Sequence, residues 1–334
     1  ELDKPSGIAG EAMLRAETPQ EQFNLISAGR RNLIINGDMK VAQRGTAAVT
    51  ASGGFPVDRM KIISNTTDFS ATQSSTVPPN STFRHSLKVD CTTVKGTINS
   101  STYAGIIYLI EGFDASSLMW GTPNAQPITV SFWVRSNITG TYYWGTKNSV
   151  ANRAFSKAYT IEAADTWEYK SFTIPGDVTG SWITDNGKGL SSDFWLAGAN
   201  TAIATQDTWY GGNINMGTDQ VNLFDNTANE WYLTGVQIET GKVATPFEHR
   251  SYGEELALCQ RYYEKFDASG NFYAGVSVNN NPRINGTWMV AKRAAPTMTA
   301  TGGWSVAGVI YGYEGYHSTA SDALVPSWTA DAEL

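Results

Sequence analysis

Apolar and polar residues alternate with a period of two in short runs along residues 31–250. In Ile128–Arg135, for example, Val130 and Phe132 share one face, while Trp133 lies on the other. This period is typical of a strand with one buried face. Turn residues separate the runs and no helical pattern lies between them, which argues against a parallel sheet built from βαβ units. We therefore expect antiparallel pairing along this part of the chain.

The pattern predicts one all-β domain, an antiparallel jelly-roll β-sandwich over residues 31–250. Its clearest predicted strands are Ile106–Ile110, Ile128–Arg135, Gly140–Trp144, Trp167–Ile174, Phe194–Ala197 and Trp231–Glu239. Asn137–Gly140 is predicted to be a hairpin turn between the second and third of these. Val236 and Ile238 share one face of the last strand, and we expect them in the core together with Val130 and Phe132.

Residues 1–30 have no strand pattern and are predicted to form an attachment or neck segment. Proline and glycine punctuate this segment around two short helix candidates, Glu11–Glu17 and Glu21–Ala28. Neither could be stable alone at this length. We expect the segment to pack against partner chains.

Residues 251–266 are predicted to be a short helix. Ser251 and Glu254 fit a capping box, in which each side chain bonds the other residue's backbone N–H. Leu256, Cys259 and Tyr263 then recur on one helical face. The predicted helix runs from Tyr252 to Lys265 and buries this face against a β-layer.

Residues 267–334 are predicted to form a small C-terminal β unit. The strand candidates are Phe272–Val278, Gly286–Ala291 and Trp304–Tyr313, with glycine-rich turns between them. A unit of this size has a thin core, so we expect it to lean on the sandwich or on copies of itself.

The composition favours an extracellular protein. Charged residues make up 16% of the chain, against about 25% in an ordinary globular protein, and aromatic residues reach 12%. The formal net charge is −7 and there is no basic stripe, so we expect no binding to nucleic acid through phosphates. No apolar run approaches the length that spans a membrane, so no membrane insertion is expected.

The sequence contains no motif for nucleotide, nucleophilic or zinc chemistry. Glycoside hydrolysis needs two carboxylates across a cleft, which strands can assemble from distant positions. The acidic candidates are Asp165, Glu168, Asp177, Asp185 and Asp193. Most lie beside Gly, Asn or Thr, as turn residues do, and we expect no enzymatic activity.

Two segments frame the predicted sandwich. The first is Arg31–Gly45, RNLIINGDMKVAQRG, and the second is Tyr232–Phe266, YLTGVQIETGKVATPFEHRSYGEELALCQRYYEKF. Together they resemble the opening and closing segments of the jelly-roll module of bacteriophage tail-fibre and other virion appendage proteins. Their order and spacing suit one sandwich domain.

The resemblance implies a structural protein of a tailed-phage virion, a tail or head fibre that recognises host surface polysaccharide. It implies a homotrimer in the extracellular virion, with residues 1–30 bound to other tail or head proteins. It brings no cofactor, although it allows a structural calcium ion. Asp185–Gly189 is the nearest calcium candidate, and a plain turn is the favoured interpretation there. Two alternatives stay open: a purely structural adaptor or decoration protein, and a glycan-degrading tailspike.

Aromatic side chains are the best candidates for glycan binding, because the flat C–H faces of sugars stack on their rings. One group lies on neighbouring predicted strands, a second lies in a loop-rich stretch, and the last belongs to a segment of alternating Tyr and Gly. The candidate binding residues are Trp133, Tyr142, Trp144, Trp182, Trp209 and Tyr313. The alternative, that these rings fill the core or meet a neighbouring chain, stays open.

Overall fold

The fold is known from a computed structural model. It describes residues 8–15, 30–99, 101–198, 206–213, 216–217, 219–267, 277–278, 281–317 and 327–334. The predicted all-β class is confirmed, since strands dominate the described chain and every pairing between them is antiparallel.

Two five-stranded antiparallel sheets form the jelly-roll sandwich. Sheet A contains β2 (Phe69–Ser74), β3 (Ser86–Cys91), β5 (Ile128–Ser136), β8 (Glu168–Ile174) and β10 (Glu230–Thr240). Sheet B contains β1 (Met60–Ser64), β4 (Tyr103–Glu111), β6 (Gly140–Lys147), β7 (Ala154–Ile161) and β9 (Lys188–Gly198). The strand order is β2-β3-β10-β5-β8 in sheet A and β1-β4-β9-β6-β7 in sheet B. The chain therefore crosses repeatedly from one sheet to the other, and all six predicted strands are present.

The core lies between the two sheets. Val130, Phe132, Val236 and Ile238 are fully buried in it, as the alternation predicted. Phe132 makes edge contacts with rings from both sheets, at centroid distances of 5.1 Å to Phe194 and 6.2 Å to Phe172.

The predicted hairpin at Asn137–Gly140 is wrong, because β5 and β6 belong to different sheets. The segment is instead a corner that carries the chain from sheet A to sheet B. Tyr142 closes this corner by donating its hydroxyl to Ile138 O at 3.1 Å. A short polar connection of this kind looks the same in sequence whether it pairs two strands or separates them.

The two segments that frame the sandwich in sequence are joined to each other in space. The Asn32 side chain donates to Val236 O at 3.1 Å and accepts from Ile238 N at 3.0 Å, so it bonds directly to β10. Gly37 lies so close to the same strand that a Cβ there would come within 2.2 Å of Val236 O. The first segment therefore packs against the second with almost no space between their backbones.

Charged groups complete this junction. The Arg250 guanidinium donates to Asn32 O at 2.6 Å, to Ile34 O at 3.1 Å and to Glu248 at 2.8 Å. Glu248 in turn accepts the backbone N–H groups of Arg31 and Asn32, both at 2.7 Å. We call Arg31, Asn32, Ile34, Glu248 and Arg250 the clasp.

The clasp makes the stability of the folded protein depend on pH in the acidic range. Burial raises the pKa of Glu248, but the N–H groups of Asn32 and Arg31 together with Arg250 outweigh burial and leave it below the ordinary 4.5. Because the folded pKa lies below the unfolded one, this contribution is present above pH 4.5 and is lost as pH falls through the folded value. We expect the melting temperature to fall more steeply below pH 4.5 in the parent than in Glu248→Gln, as measured by circular dichroism. Parallel profiles would contradict this role of Glu248.

The C-terminal unit consists of two small sheets. Sheet C contains β11 (Tyr263–Phe266), β14 (Thr297–Ala300) and β17 (Trp328–Asp331), in the order β11-β17-β14. Sheet D contains β12 (Ser277–Val278), β13 (Asn281–Thr287), β15 (Trp304–Val309) and β16 (Gly312–His317), in the order β12-β13-β16-β15. A separate small core cluster is formed here by buried Trp288, Trp328 and Ala330.

The strand predictions were least accurate in this unit. The predicted strand Gly286–Ala291 overlaps only the end of β13, and the predicted strand Trp304–Tyr313 is a hairpin of β15 with β16. Most of the predicted strand Phe272–Val278 lies outside the described residues. Short, glycine-rich strands show too few alternating positions to fix their ends.

The described helices are α1 (Ile8–Arg15), α2 (Gly112–Ala115) and α3 (Tyr252–Gln260), with 3₁₀ turns at Ser116–Leu118 and Leu223–Asp225. Helix α1 overlaps the first candidate of the predicted neck over Glu11–Arg15, and the rest of that candidate and the second candidate lie outside the described residues. No helix in the described part of the chain is long and apolar enough to cross a membrane.

Helix α3 begins as predicted and ends early. Its capping box is present, with the Glu254 carboxylate 2.9 Å from Ser251 N, and Cys259 is buried in the sandwich core. The helix stops at Gln260 rather than Lys265, and Tyr263 belongs to β11. Pairing of Tyr263 with Asp331, a contact distant in sequence, overrides the helical pattern there.

Candidate functional site

Two of the predicted binding residues, Tyr142 and Trp144, lie entirely inside the core. The Trp144 indole N–H donates to Ser192 Oγ at 2.8 Å, and its ring packs 5.4 Å from Phe172. Neither ring can reach a glycan, so this part of the prediction is wrong. The two faces of β6 both carry aromatic residues, and it is Tyr143 that points outward, away from the main core.

Trp182 and Trp209 do come together, at one end of the sandwich and against a third tryptophan. Their ring centroids are 5.5 Å apart and lie 4.8 and 5.0 Å from that of Trp120. Each indole N–H donates to a backbone carbonyl, at Thr179, Pro175 and Gln126 respectively. The rings are packed edge against face with their polar atoms already bonded, so this cluster offers little free hydrogen-bonding capacity.

Tyr313 belongs to the core of the C-terminal unit. Its ring lies 4.9 Å from both Trp288 and Trp328, and it covers Gly286, where a Cβ would come 2.7 Å from the tyrosine ring. The ring is half-buried and holds the thin core together.

Trp133 is the predicted residue that lies on an outer sheet surface. It faces away from the core on β5, and the strand register sets it beside Tyr169 of β8, with ring centroids 5.5 Å apart. Tyr169 is 46% exposed. On the other side of Trp133, Gly235 forms a bulge in β10 with φ +62°, and a Cβ there would come 2.6 Å from Phe83 and 3.2 Å from Trp133. The bare backbone of Gly235 therefore lets three rings, Phe83, Trp133 and Tyr169, form a band across the sheet.

A row of charged groups lies beside this band, centred on Tyr232. Lys88 Nζ lies 5.6 Å and the Arg135 guanidinium 4.9 Å from the Tyr232 ring centroid. Glu230 bonds Arg135 at 2.9 Å, contacts Lys88 at 3.1 Å and accepts the Tyr232 hydroxyl at 2.9 Å. We call the surface formed by Trp133, Tyr169 and these charged residues, together with the buried rings of Phe83 and Tyr232, which are 6 and 5% exposed, the aromatic face.

The charges of the aromatic face stabilise one another in their ionised forms. Burial raises the pKa of Glu230, but hydrogen bonds from Tyr232, Lys88 and Arg135 outweigh it and hold the pKa below its ordinary value. For Arg135, burial lowers the pKa, and bonding to Glu230 reverses the shift. The face therefore presents fixed donors and acceptors beside aromatic rings at neutral pH, which is the combination that sugar hydroxyls and sugar C–H faces require.

The acidic residues considered for hydrolysis have structural contacts. Four carboxylates face a cation: Asp165 with Arg135, Glu168 with Lys170, Asp177 with Arg153 and Asp193 with Lys147. Asp185 accepts from Gly187 N at 2.7 Å, as in a plain turn. Within the described residues, no three His, Cys, Asp or Glu side chains are grouped so that they could hold a metal ion.

Tyr169, Phe83 and Tyr232 belong to the aromatic face, and the sequence analysis did not name them as candidate binding residues. The signal for Tyr169 was available, because Phe172 of the same strand faces the core and an odd separation puts Tyr169 on the other side. Phe83 precedes β3 in an irregular segment, and no periodicity indicates its position.

No protein-family profile matches the chain, and no curated protein matches it. Among solved structures, the chain is similar to the enzymatically active domain of tailspike protein 4 of bacteriophage CBA120, with 13% identity and a TM-score of 0.34. That similarity covers 63% of this chain and 21% of the tailspike chain. TmCBM61 in complex with β-1,4-galactotriose shows 8% identity and a TM-score of 0.31, over 64% of this chain and 100% of the module. A CBM4 structure shows 10% identity and a TM-score of 0.34, and the similarity covers 62% of this chain and 98% of the CBM4 chain. These values are too low to assign a function to the chain.

Proposed function

We propose that this protein recognises a glycan without turning it over, through the aromatic face of sheet A. The observation that supports this is the Trp133–Tyr169 pair, in which Trp133 is half-buried and Tyr169 is 46% exposed, beside the Lys88–Glu230–Arg135 ion pairs. Rings on a rigid sheet lose little conformational freedom on binding, and the neighbouring charges are already oriented.

Binding at one such surface is expected to be weak. Stacking and a few hydrogen bonds to a well-hydrated sugar leave little net free energy, and a dissociation constant near 1 mM corresponds to about −4 kcal/mol. Several identical surfaces on one particle raise the effective affinity by roughly 100-fold or more when a repeating glycan spans them.

We further propose that the protein is a homotrimeric appendage of a tailed-phage virion, a tail or head fibre that binds host surface polysaccharide. The resemblance of Arg31–Gly45 and Tyr232–Phe266 to phage appendage modules supports this, and the clasp gives a physical reason why these two segments occur together. In this proposal residues 1–30 attach the chain to other virion proteins.

Replacing Trp133 or Tyr169 with alanine is expected to weaken glycan binding at least about 10-fold, because a truncated ring removes a stacking contact that its neighbours cannot replace. A glycan array with the purified parent identifies the ligand, and titration of each variant with that ligand gives the loss. Tyr252→Ala is the matched control, since Tyr252 is an exposed tyrosine on α3, outside the aromatic face.

The variant Trp182→Ala tests whether the glycan binds at the tryptophan cluster at the end of the sandwich rather than at the aromatic face. If Trp182→Ala loses binding while Trp133→Ala and Tyr169→Ala stay folded and bind like the parent, the aromatic face is the wrong site. Shortening of the bound polysaccharide by the purified protein would refute the non-catalytic part of the proposal.

A further inference from the structure

An exposed apolar cluster projects from the C-terminal unit. It consists of Met289, Val309, Ile310 and Tyr311, which are 83, 62, 39 and 74% exposed. Val309 is the last residue of β15, and Ile310 and Tyr311 form the turn that leads to β16. Backbone bonds hold this turn against the segment that carries Met289. These bonds are Trp288 N to Tyr311 O at 3.3 Å and Lys292 N to Ile310 O at 2.8 Å. We call these four residues the apolar knob.

The apolar knob is comparable in size with the largest apolar patch on an ordinary monomer. Its four side chains present on the order of 500 Å² of mostly apolar surface, in the upper part of the range for the largest patch on a monomer. None of the four side chains carries a charge. The largest apolar patch on a monomer is often functional.

The outward face of sheet D extends this surface and carries opposite charges without an ion pair. Arg283 pairs with Tyr316 in the strand register, and Asn285 pairs with Glu314, so Arg283 and Glu314 are diagonal neighbours on one exposed face. Among the described residues, neither of these two charged side chains forms a salt bridge. A face that carries a positive and a negative side chain at separate positions can be complementary in charge to the same face of another copy.

The knob is held rigidly to the rest of the molecule. The Trp288 indole N–H donates to Val309 O at 2.7 Å, and the buried Lys292 Nζ lies 2.5 Å from Glu264 Oε2. Arg293 then donates to Asn186 O of the sandwich at 2.6 Å. A surface fixed in this way can bind a partner without paying for its own ordering.

We propose that the apolar knob and the outward face of sheet D are the place where copies of this chain meet. This inference rests on the proposed homotrimer and locates its contact. A stable interface buries about 800 Å² on each partner, which the knob and the adjoining face together can supply. In a rotational arrangement Arg283 of one copy faces Glu314 of the next, so the contact is repeated around the ring and closes.

Light scattering coupled to size exclusion tests this at micromolar concentration with the full chain. The parent is expected to run at about three times the chain mass of 36.2 kDa, and Met289→Lys/Tyr311→Lys is expected to run as a folded monomer. Arg283→Glu alone should weaken association at least about 10-fold, and Arg283→Glu/Glu314→Arg should restore it. Tyr169→Ala is the control and should keep the parent mass.

The outcomes separate this inference from the proposed function. A parent that stays monomeric overturns both the trimer and its contact, while glycan binding by the isolated chain would still stand. A Met289→Lys/Tyr311→Lys variant that keeps the parent mass overturns the contact alone. The affinity of a single site for the glycan should be unchanged in the dissociated variant. If that affinity is lost, the apolar knob contacts the glycan, and the proposed contact between copies is overturned.

Discussion

Arg250→Ala is expected to destabilise the protein by about 3–5 kcal/mol, because it leaves a buried carboxylate and two carbonyl groups without their partner. The Arg250 side chain is only 6% exposed, and its guanidinium joins Glu248 and Glu255 to the backbone at Asn32 and Ile34. Its loss would open the clasp between the start and the end of the sandwich. The packing of the core would remain, but the first segment of the sandwich would no longer be bonded to the segment that follows β10.

Denaturant unfolding measures this loss, with Arg15→Ala as the matched control. Arg15 also pairs with a glutamate, Glu11, but both side chains are mostly exposed, and such pairs contribute at most about 1 kcal/mol. A midpoint for Arg250→Ala equal to that of Arg15→Ala would mean that the clasp contributes nothing to stability.

The clasp also shows what sequence can and cannot reveal about this fold. The alternation in β5 and β10 was enough to place Val130, Phe132, Val236 and Ile238 in the core, because a clean period of two fixes the buried face. Contacts between residues more than two hundred positions apart, such as Arg31 with Glu248, leave no periodic signal in one sequence.

The candidate site was predicted in part for a similar reason. In β5 Trp133 lies between Phe132 and Val134, which share the apolar face with Val130, so its outward direction could be inferred. In β6 Tyr142, Tyr143 and Trp144 follow one another, and alternation separates Tyr143 from the other two without showing which side is buried. The partner of Trp133 could not be predicted either, since the order of strands in sheet A, and not their order in the chain, sets Tyr169 beside it.

Glu333→Ala is expected to cost about 3–5 kcal/mol, because Glu333 is the counterion of a buried arginine near the end of the chain. Arg59 is 2% exposed, donates to Leu109 O at 2.5 Å and lies 3.5 Å above the Tyr262 ring. Its guanidinium bonds Glu333 directly, and Arg44 approaches the same carboxylate at 3.4 Å. Without Glu333, Arg59 would be a buried charge that the Tyr262 ring and one carbonyl cannot neutralise.

The Glu333 variant also tests how the C-terminal unit is held to the sandwich. β17 ends at Asp331, and Ala332 N donates to Tyr262 O at 2.7 Å, so the chain passes from sheet C directly into the Arg59 pocket. We expect Glu333→Ala to lower the unfolding midpoint by roughly 6 °C or more and to speed proteolysis in the C-terminal unit before the sandwich is cut. Asp267→Ala is the matched control, because the carboxylate of Asp267 is mostly exposed and pairs with Lys265 at the surface. If both variants melt and are cut like the parent, the Arg59–Glu333 pair does not attach the C-terminal unit, and the hydrogen bonds between Arg293 and Asn186 must hold it instead.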